Sequence, residues 1–172
     1  CLKDYYKLTT DPPMIPRYVL GVWWSKNTNY SELDIKKVLE NFAEIKIPIS
    51  VFLLDNPWHI QNEYNGKILK TGFNGNYIKD PKSLTTFLHN NNVKVGINVD
   101  PSDGITEAEP KFQIIKEYLG TDMDLIPFSP KVLKWVESYL KVFIHPIMDL
   151  GFDFFWIDYK PETNDLEKLF LL

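Results

Sequence analysis

The chain has 172 residues, of which 19 are Lys or Arg and 23 are Asp or Glu, so its formal charge is −4. Hydrophobic residues make up 44% and charged residues 24%, as in an ordinary globular domain, which excludes a disordered tail or a low-complexity linker. The weakly acidic balance also argues against a nucleic-acid partner, because such proteins usually carry a basic stripe.

The first predicted strand covers residues 17–25, and the polar residues Asn27 and Asn29 follow it. Ser31 is placed to cap a helix, because its hydroxyl can accept a hydrogen bond from an amide of the first helical turn. Five apolar residues then recur at helical spacing, namely Ile35, Val38, Leu39, Phe42 and Ile45. Pro48 is expected to end this helix.

The second predicted strand covers residues 49–55, a continuous apolar run typical of a strand covered on both faces. Residues 56–80 are polar and rich in Gly and Asn, and a loop of this length is usually functional. Pro81 suits the first turn of a short helix. The third predicted strand covers residues 93–100.

Two helices are predicted before the fourth strand. The first carries apolar residues on one face and ends at Gly120; these residues are Phe112, Ile115, Tyr118 and Leu119. The second begins after Pro130 and ends at Gly151; its apolar residues are Val132, Trp135, Val136, Tyr139, Leu140 and Phe143. Residues 152–159 are the fourth predicted strand.

Strands that alternate with helices predict a parallel sheet with helices outside it. Both an open doubly wound sheet and part of a (β/α)₈ barrel fit this order. The bulky Trp23 and Trp24 stand where a dinucleotide-binding fold carries a glycine-rich loop, which favours the barrel. Because a barrel needs eight strands, we expect residues 1–172 to be one domain, the first half of a (β/α)₈ TIM barrel, with residues 166–172 beginning a fifth element.

The unpaired edges of a half barrel predict a partner that covers them, either the remainder of its own barrel or another chain. The only cysteine is Cys1, so we expect burial and not disulfides to stabilise the fold. No apolar run approaches the roughly 18–20 residues of a membrane span, which predicts no membrane partner. No secretory signal is visible in residues 1–16, which favours a cytoplasmic location.

Functional side chains of such barrels collect at the carboxyl ends of the strands. In this chain those ends supply Trp23, Trp24, Ser25, Asp55, Trp58, His59, Asn98, Asp100, Trp156, Asp158, Tyr159 and Lys160. Indole rings stack on sugar faces, whereas carboxylates bind sugar hydroxyls or attack the anomeric carbon. The combination predicts a carbohydrate substrate.

Four segments carry a family resemblance, in the order PPMIPRYVLGVWWSKNTNY, IPISVFLLDNPWH, FLHNNNVKVGINVDPSDGITEAE and HPIMDLGFDFFWIDYK. In series they resemble the catalytic barrel of glycoside hydrolase family 31, the α-glucosidase and α-xylosidase family, from about Leu8 to the end. The resemblance implies a glycosidase that hydrolyses O-glycosyl bonds with retention of configuration, without a metal or other cofactor.

The resemblance also implies roles for individual residues. Asp158 matches the family's nucleophile, Asp55 binds hydroxyls of the sugar in the −1 subsite, and Trp156 lines that pocket. Trp58 and His59 match residues of the second-strand rim. The family's acid/base Asp follows the sixth strand, outside this sequence, so the fragment alone is expected to be inactive.

Structural alternatives exist for most of these residues. Asp158 can cap a turn, Asp55 can form an Asx turn, and Trp156 can serve packing alone. Neighbouring strand residues face opposite sides, so only one of Trp23 and Trp24 can reach the pocket, and we predict substrate contact for Trp24.

Other ionisable residues are given structural or secondary roles. His89 and His145 are expected to be structural, and Asp153 lies at the wrong end of its strand for chemistry. Asp100 stands where related sequences often carry His. Lys160 is a candidate charge partner of Asp158, within an Asp-Tyr-Lys-Pro sequence that departs from the family's usual patterns.

Two other functions fit the same scaffold, since a fold does not fix its function. One is a non-catalytic carbohydrate-binding barrel. The other is a different barrel hydrolase, such as a metal-dependent deacetylase or an enzyme of another glycoside hydrolase family, although no spacing of His, Cys or Asp in the sequence indicates a metal site.

Overall fold

A computed structural model describes residues 2–9, 12–60, 63–64, 67–69 and 72–158. Three predictions lie outside these residues. They are the end of the fourth strand at Tyr159, the pairing of Lys160 with Asp158, and the fifth element at residues 166–172. They stay predictions.

The strands and helices alternate along the chain. The strands are β1 (Val22–Ser25), β2 (Ile49–Leu54), β3 (Glu63–Tyr64), β4 (Lys67–Ile68), β5 (Lys94–Val99), β6 (Ile105–Thr106), β7 (Leu125–Ile126) and β8 (Phe154–Ile157). The helices are α1 (Leu2–Leu8), α2 (Glu32–Glu44), α3 (Pro81–Asn90), α4 (Phe112–Leu119), α5 (Leu133–Tyr139) and α6 (His145–Asp149). Among the described residues, none of these helices has the length and apolar character needed to span a bilayer.

Four strands form one sheet in the order β1-β2-β5-β8, and every neighbouring pair is parallel. The sequence prediction of a parallel sheet with helices between its strands is therefore confirmed. The loops after β2 and β5 each contribute to a small antiparallel pair, β3 with β4 and β6 with β7. A parallel arrangement brings the carboxyl ends of all four sheet strands to one edge.

Local signals at the helix ends act as the sequence predicts. Ser31 caps α2 through a reciprocal pair of bonds, because its hydroxyl accepts from the Asp34 amide while the Asp34 carboxylate accepts from the Ser31 amide. Asp80 caps α3 by a single bond, since its carboxylate accepts from the Ser83 amide, and Pro81 takes the first helical position. These caps fix where each helix begins and therefore how it crosses the sheet.

The first predicted strand is only partly correct. Residues Arg17–Leu20 form a 3₁₀ turn in which the Val19 amide donates to the Pro16 carbonyl, and extended backbone begins at Val22. A short apolar run is compatible with either conformation, so its pattern alone does not distinguish them.

Three predicted apolar positions are exposed: Ile45, Val132 and Leu140. Ile45 and Val132 stand at helix caps, outside the regular turns that bury their neighbours. Leu140 begins a π-helix that runs to Ile144, and its wider turn shifts the apolar face away from the 3.6-residue period. Gly151 follows in a left-handed conformation, as expected for the residue that ends this helical segment.

The two faces of the sheet have different partners. One face carries Phe52, Leu54, Val95, Ile97 and Val99, which are buried against the helices in a single hydrophobic cluster. Because strand residues alternate between faces, the opposite face carries the residues between them. We call it the interior face, and it is formed by Trp23, Val51, Leu53, Gly96, Asn98, Phe154 and Trp156.

Gly96 allows an aromatic ring to lie on the interior face. A Cβ at this position would stand 2.4 Å from the Phe154 ring and 2.7 Å from Leu53 Cδ1, both far inside normal contact. Phe154 in turn packs against the Trp23 ring at 5.3 Å between centroids. The missing side chain therefore makes room for rings contributed by the two outer strands of the sheet.

The amino-terminal edge of the sheet is held by Asp153. Its carboxylate accepts hydrogen bonds from Lys94 Nζ at 2.7 Å and from the Val95 amide at 2.9 Å, and it lies 2.8 Å from His89 Nε2. Burial alone would raise the pKa of Asp153, but these hydrogen bonds outweigh it and lower the pKa below its ordinary value of 3.8. Asp153 and His89 thus join α3, β5 and β8, which agrees with a structural His89 and with an Asp153 at the wrong end of its strand for chemistry.

The lowered pKa of Asp153 predicts a pH-dependent contribution to stability. Because the folded state favours the carboxylate, its contribution is present above pH 3.8 and is lost as the pH falls through the lower folded-state pKa. Asp153→Asn should therefore lower the free energy of unfolding by about 1 kcal/mol at pH 7, and by much less near pH 2. Thermal unfolding of both proteins across this range measures the difference. Asp122→Asn is the exposed control, and an effect of Asp153→Asn that is constant with pH would contradict the assignment.

Candidate active site

Three polar side chains, those of Asp55, Asn98 and Asp158, lie at the carboxyl edge of the interior face. Asn98 lies between Ile97 and Val99, both of which face the helices, so its side chain faces the interior. The pairing of β2 with β5 ends at Leu54 and Ile97, so Asp55 and Asn98 take the next position of their strands. Asp158 follows β8 on the same side as Trp156.

Asp158 is held by both its backbone and its side chain. Its amide donates to the Val99 carbonyl at 2.8 Å, which extends the ladder between β5 and β8 by one bond. Its Oδ2 accepts a hydrogen bond from Asn98 Nδ2 at 3.4 Å. The side chain is half-buried, so the carboxylate is fixed at the edge of the sheet without being enclosed.

Asp55 stands two strands away from Asp158, with β5 between them. Neighbouring strands lie about 4.8 Å apart, which places the ends of β2 and β8 about 10 Å from each other. The Asp55 carbonyl accepts from the Trp58 amide at 3.2 Å, and this turn begins the loop after β2. Asp55 and Asp158 therefore lie on either side of Asn98 at the carboxyl edge of the sheet.

Trp58 and His59 lie beneath this rim. They are 4% and 1% exposed, and their rings contact each other with centroids 3.8 Å apart. The Trp58 indole donates to the backbone carbonyl of Asn98 at 2.7 Å. Their burial and the Trp58 bond indicate that these rings support β5 from the loop after β2. The predicted substrate contact of Trp58 and His59 stays a prediction.

Trp24 lies beside helix α2. Its ring packs edge-on against Phe42 of α2 at 5.3 Å, and its indole donates to the Tyr30 hydroxyl at 3.2 Å. These contacts place Trp24 on the helix-covered face, and its predicted substrate contact stays a prediction. The register of β1 fixes the outcome, because Trp24 pairs with Phe52, whereas Trp23 pairs with the interior residue Val51.

Trp156 is on the interior face and 41% exposed, which leaves part of its ring available at the rim. Asp100 is engaged locally, since its carboxylate accepts hydrogen bonds from both the amide and the hydroxyl of Ser102.

Burial raises the pKa of the Tyr139 hydroxyl, and the nearby carboxylates of Asp100 and Glu109 raise it further. Tyr139 is therefore a neutral phenol at physiological pH.

Asn98 is the site residue that sequence reasoning noticed at a strand end but gave no role. The available signal was a single polar amide within the otherwise apolar run of β5. The described residues contain no group of three or more His, Cys, Asp or Glu side chains arranged to hold a metal ion.

Residues 12–168 match the family description "Glycosyl hydrolases family 31 TIM-barrel domain". The chain belongs to glycoside hydrolase family 31. The four parallel strands are accordingly part of a TIM barrel, which confirms the expected fold and sets aside the open doubly wound sheet. The interior face is the side of the sheet that lines the barrel.

Relatives of known sequence include α-xylosidases. One from Saccharolobus solfataricus is 33% identical over 169 residues, covering 95% of this chain and 22% of that protein. The α-xylosidase XylQ of Lactiplantibacillus pentosus is 28% identical over 177 residues, covering 92% of this chain and 22% of that protein. The chain thus spans about a fifth of the length of these relatives.

Solved family 31 structures share the fold at low sequence identity. The α-xylosidase of Xanthomonas citri superposes with a TM-score of 0.69 at 17% identity, covering 91% of this chain and 18% of that one. The dextranase of Flavobacterium johnsoniae, complexed with glucose, gives 0.70 at 18% identity, covering 98% and 22%. The likeness extends over nearly all of the chain.

The indole bond of Trp58 predicts a measurable contribution to stability. Trp58→Phe keeps a buried ring but leaves the Asn98 carbonyl without this donor, which should lower the free energy of unfolding by about 1–2 kcal/mol. Trp23→Phe is the matched control, because it removes an indole bond to the Val19 carbonyl from a ring that is 42% exposed. Chemical unfolding compares the two variants. An equal or larger loss from Trp23→Phe would contradict the supporting role of Trp58.

Proposed function

We propose that the protein containing this chain is a retaining α-glycosidase with Asp158 as its nucleophile. The observation that carries the proposal is the position of Asp158, held at the carboxyl end of β8 on the barrel side of the sheet by the Val99 carbonyl and the Asn98 amide. Carboxyl ends of barrel strands are where catalytic groups of this fold lie. Membership of family 31 supports the same reaction class.

In the proposed first step, a carboxylate oxygen of Asp158 forms a bond to the anomeric carbon as the bond to the leaving group breaks. The leaving oxygen takes a proton from a carboxylic acid, which in this family is supplied after the sixth barrel strand. Water then attacks the same carbon, loses its proton to that second carboxylate, and releases Asp158. Two inversions give a product with the original configuration.

We propose α-xylosides or α-glucosides as the substrate class. Support comes from relatives named α-xylosidase and, at 29% identity over 121 residues, from an α-glucosidase of Bacillus thermoamyloliquefaciens. Asp55 accepts hydrogen bonds from sugar hydroxyls on the far side of Asn98, and the exposed part of Trp156 offers an apolar face to the sugar ring. Substrate contact by these two side chains is part of the proposal.

The remainder of the barrel is the proposed partner of the interior face. Trp23 and Trp156 are 42% and 41% exposed there, and within the described residues β1 and β8 each have a strand on one side only. Further strands of the same protein would pair with these edges and cover the rings. Closing the barrel in this way removes both unpaired edges.

Asp158→Asn in the full-length protein should abolish turnover without unfolding it. An amide is a poor nucleophile of nearly the same shape, so kcat for an aryl α-xyloside or α-glucoside should fall by about 10⁴-fold or more. Asp153→Asn is the matched control, since it makes the same change at the opposite end of the same strand and should keep kcat at pH 7. Circular dichroism checks folding, and normal turnover by Asp158→Asn would end the proposal.

Two further measurements separate the proposal from its alternatives. NMR of the first-formed product should show the substrate's own anomeric configuration, whereas an inverted anomer indicates another class of hydrolase. A fluorinated glycosyl fluoride, which slows hydrolysis of the covalent intermediate, should label the peptide that contains Asp158. A protein that binds the sugar but gives neither product nor label is a carbohydrate-binding barrel instead.

A further inference from the structure

Asn98 is a buried polar residue in a strand that is otherwise apolar. Its side chain is 0% exposed, while its neighbours Ile97 and Val99 are buried hydrophobic residues. Burying an amide is unfavourable unless each polar atom finds a hydrogen-bond partner. A residue at this position therefore needs a reason beyond packing.

The hydrogen bonding of Asn98 is one-sided. Nδ2 donates to Asp158 Oδ2 at 3.4 Å, whereas Oδ1 is buried and has no hydrogen-bond partner among the described residues. An ionised carboxylate only accepts hydrogen bonds, so the nitrogen and not the oxygen of the amide must face Asp158. Because Oδ1 is buried without a hydrogen bond to any described residue, an asparagine at this position lowers the stability of the fold. This favours a role for Asn98 at Asp158.

The strand position of Asn98 is fixed from both neighbours. Successive carbonyls of a strand point to opposite sides, and the Val99 carbonyl accepts from the Asp158 amide of the chain leaving β8. The Asn98 carbonyl therefore faces the β2 side, where it accepts from the Trp58 indole at 2.7 Å. The side-chain amide of Asn98 thus approaches Asp158 from a strand whose backbone is hydrogen-bonded on both sides.

We propose that Asn98 is a positioning residue for the Asp158 carboxylate. By donating to Oδ2, it restrains the rotation of the carboxylate that attacks the anomeric carbon. The same bond offers a donor to the negative charge that returns to the carboxylate, so it also favours departure of Asp158 when the glycosyl-enzyme is hydrolysed. The distance of 3.4 Å is long, as is common for catalytic hydrogen bonds before substrate binds. This inference rests on the proposed role of Asp158 as nucleophile.

A purely structural Asn98 predicts different behaviour from a positioning one. Asn98→Leu replaces the amide by a side chain of similar shape without polar atoms, so the unpartnered oxygen disappears. The unfolding midpoint of the full-length protein should stay unchanged or rise, whereas kcat should fall by about tenfold or more with a smaller change in KM. Thr106→Val is the matched control, because it removes another buried oxygen without a partner, and it should leave kcat unchanged.

Asn98→Asp provides a readout that packing alone would not change. A second carboxylate beside Asp158 disfavours the doubly ionised state, so the acidic limb of the pH profile of kcat/KM should move upward by about one pH unit or more. Asn98→Ser tests the same loss of donor geometry if the leucine variant fails to fold.

The outcomes distinguish this inference from the proposed function. If Asp158→Asn is inactive while Asn98→Leu, or Asn98→Ser in its place, keeps wild-type kcat and pH profile, the positioning role is overturned and the nucleophile stands. If Asp158→Asn is active, both fall together. A loss of kcat with an unchanged midpoint in Asn98→Leu and a shifted acidic limb in Asn98→Asp support the inference.

Discussion

The parallel pairing of β5 with strands on both sides is the constraint on which the site depends. Because β2 and β8 run in the same direction as β5, the residues that follow all three strands come to one edge of the sheet. Two bonds continue this order past the end of the sheet. The Val99 carbonyl binds the Asp158 amide, and the Asn98 carbonyl binds the Trp58 indole. Residues 40 and 59 positions apart in sequence thus meet through the backbone of one strand.

The two edges of the sheet surround their aspartates, Asp153 and Asp158, with different groups. At the amino-terminal edge, Asp153 is surrounded by Lys94, His89 and a backbone amide, which is an arrangement that holds a helix and two strands together. At the carboxyl edge, the Asp158 amide donates to the Val99 carbonyl, and its half-buried carboxylate accepts a long hydrogen bond from Asn98 Nδ2. The same residue type therefore has different surroundings at the two ends of β8, at positions 153 and 158.

The interior face has the composition of a barrel lining that other strands complete. Gly96 leaves room for the Phe154 ring, and Trp23 packs against that ring from the other outer strand. The exposed parts of the Trp23 and Trp156 rings are apolar surfaces, and their burial is favourable against further apolar groups. The chain also spans about a fifth of the length of its family 31 relatives, and this agrees with a sheet that is part of a larger barrel.

The sequence by itself determined the order of the four sheet strands and the helices between them. Four kinds of local signal carried this, each depending on residues within a few positions of each other. They are the cap at Ser31, Pro81 at the start of α3, the breaks at Gly120 and Gly151, and the apolar runs of β2 and β5. The four segments that carry the family resemblance were recognisable for the same reason, since each is continuous in the sequence. Asp158 and Asp55 were found at strand ends because a parallel sheet aligns those ends.

Only the tertiary structure decided which side chains share the site. The register of β1 against β2 sent Trp24 to the helices and Trp23 to the barrel side, and a shift of one residue would have exchanged them. The folding of the loop after β2 buried Trp58 and His59 beneath the rim. The importance of Asn98 became visible only when β5 lay beside β8, because a contact across 60 residues leaves no periodic trace in the sequence.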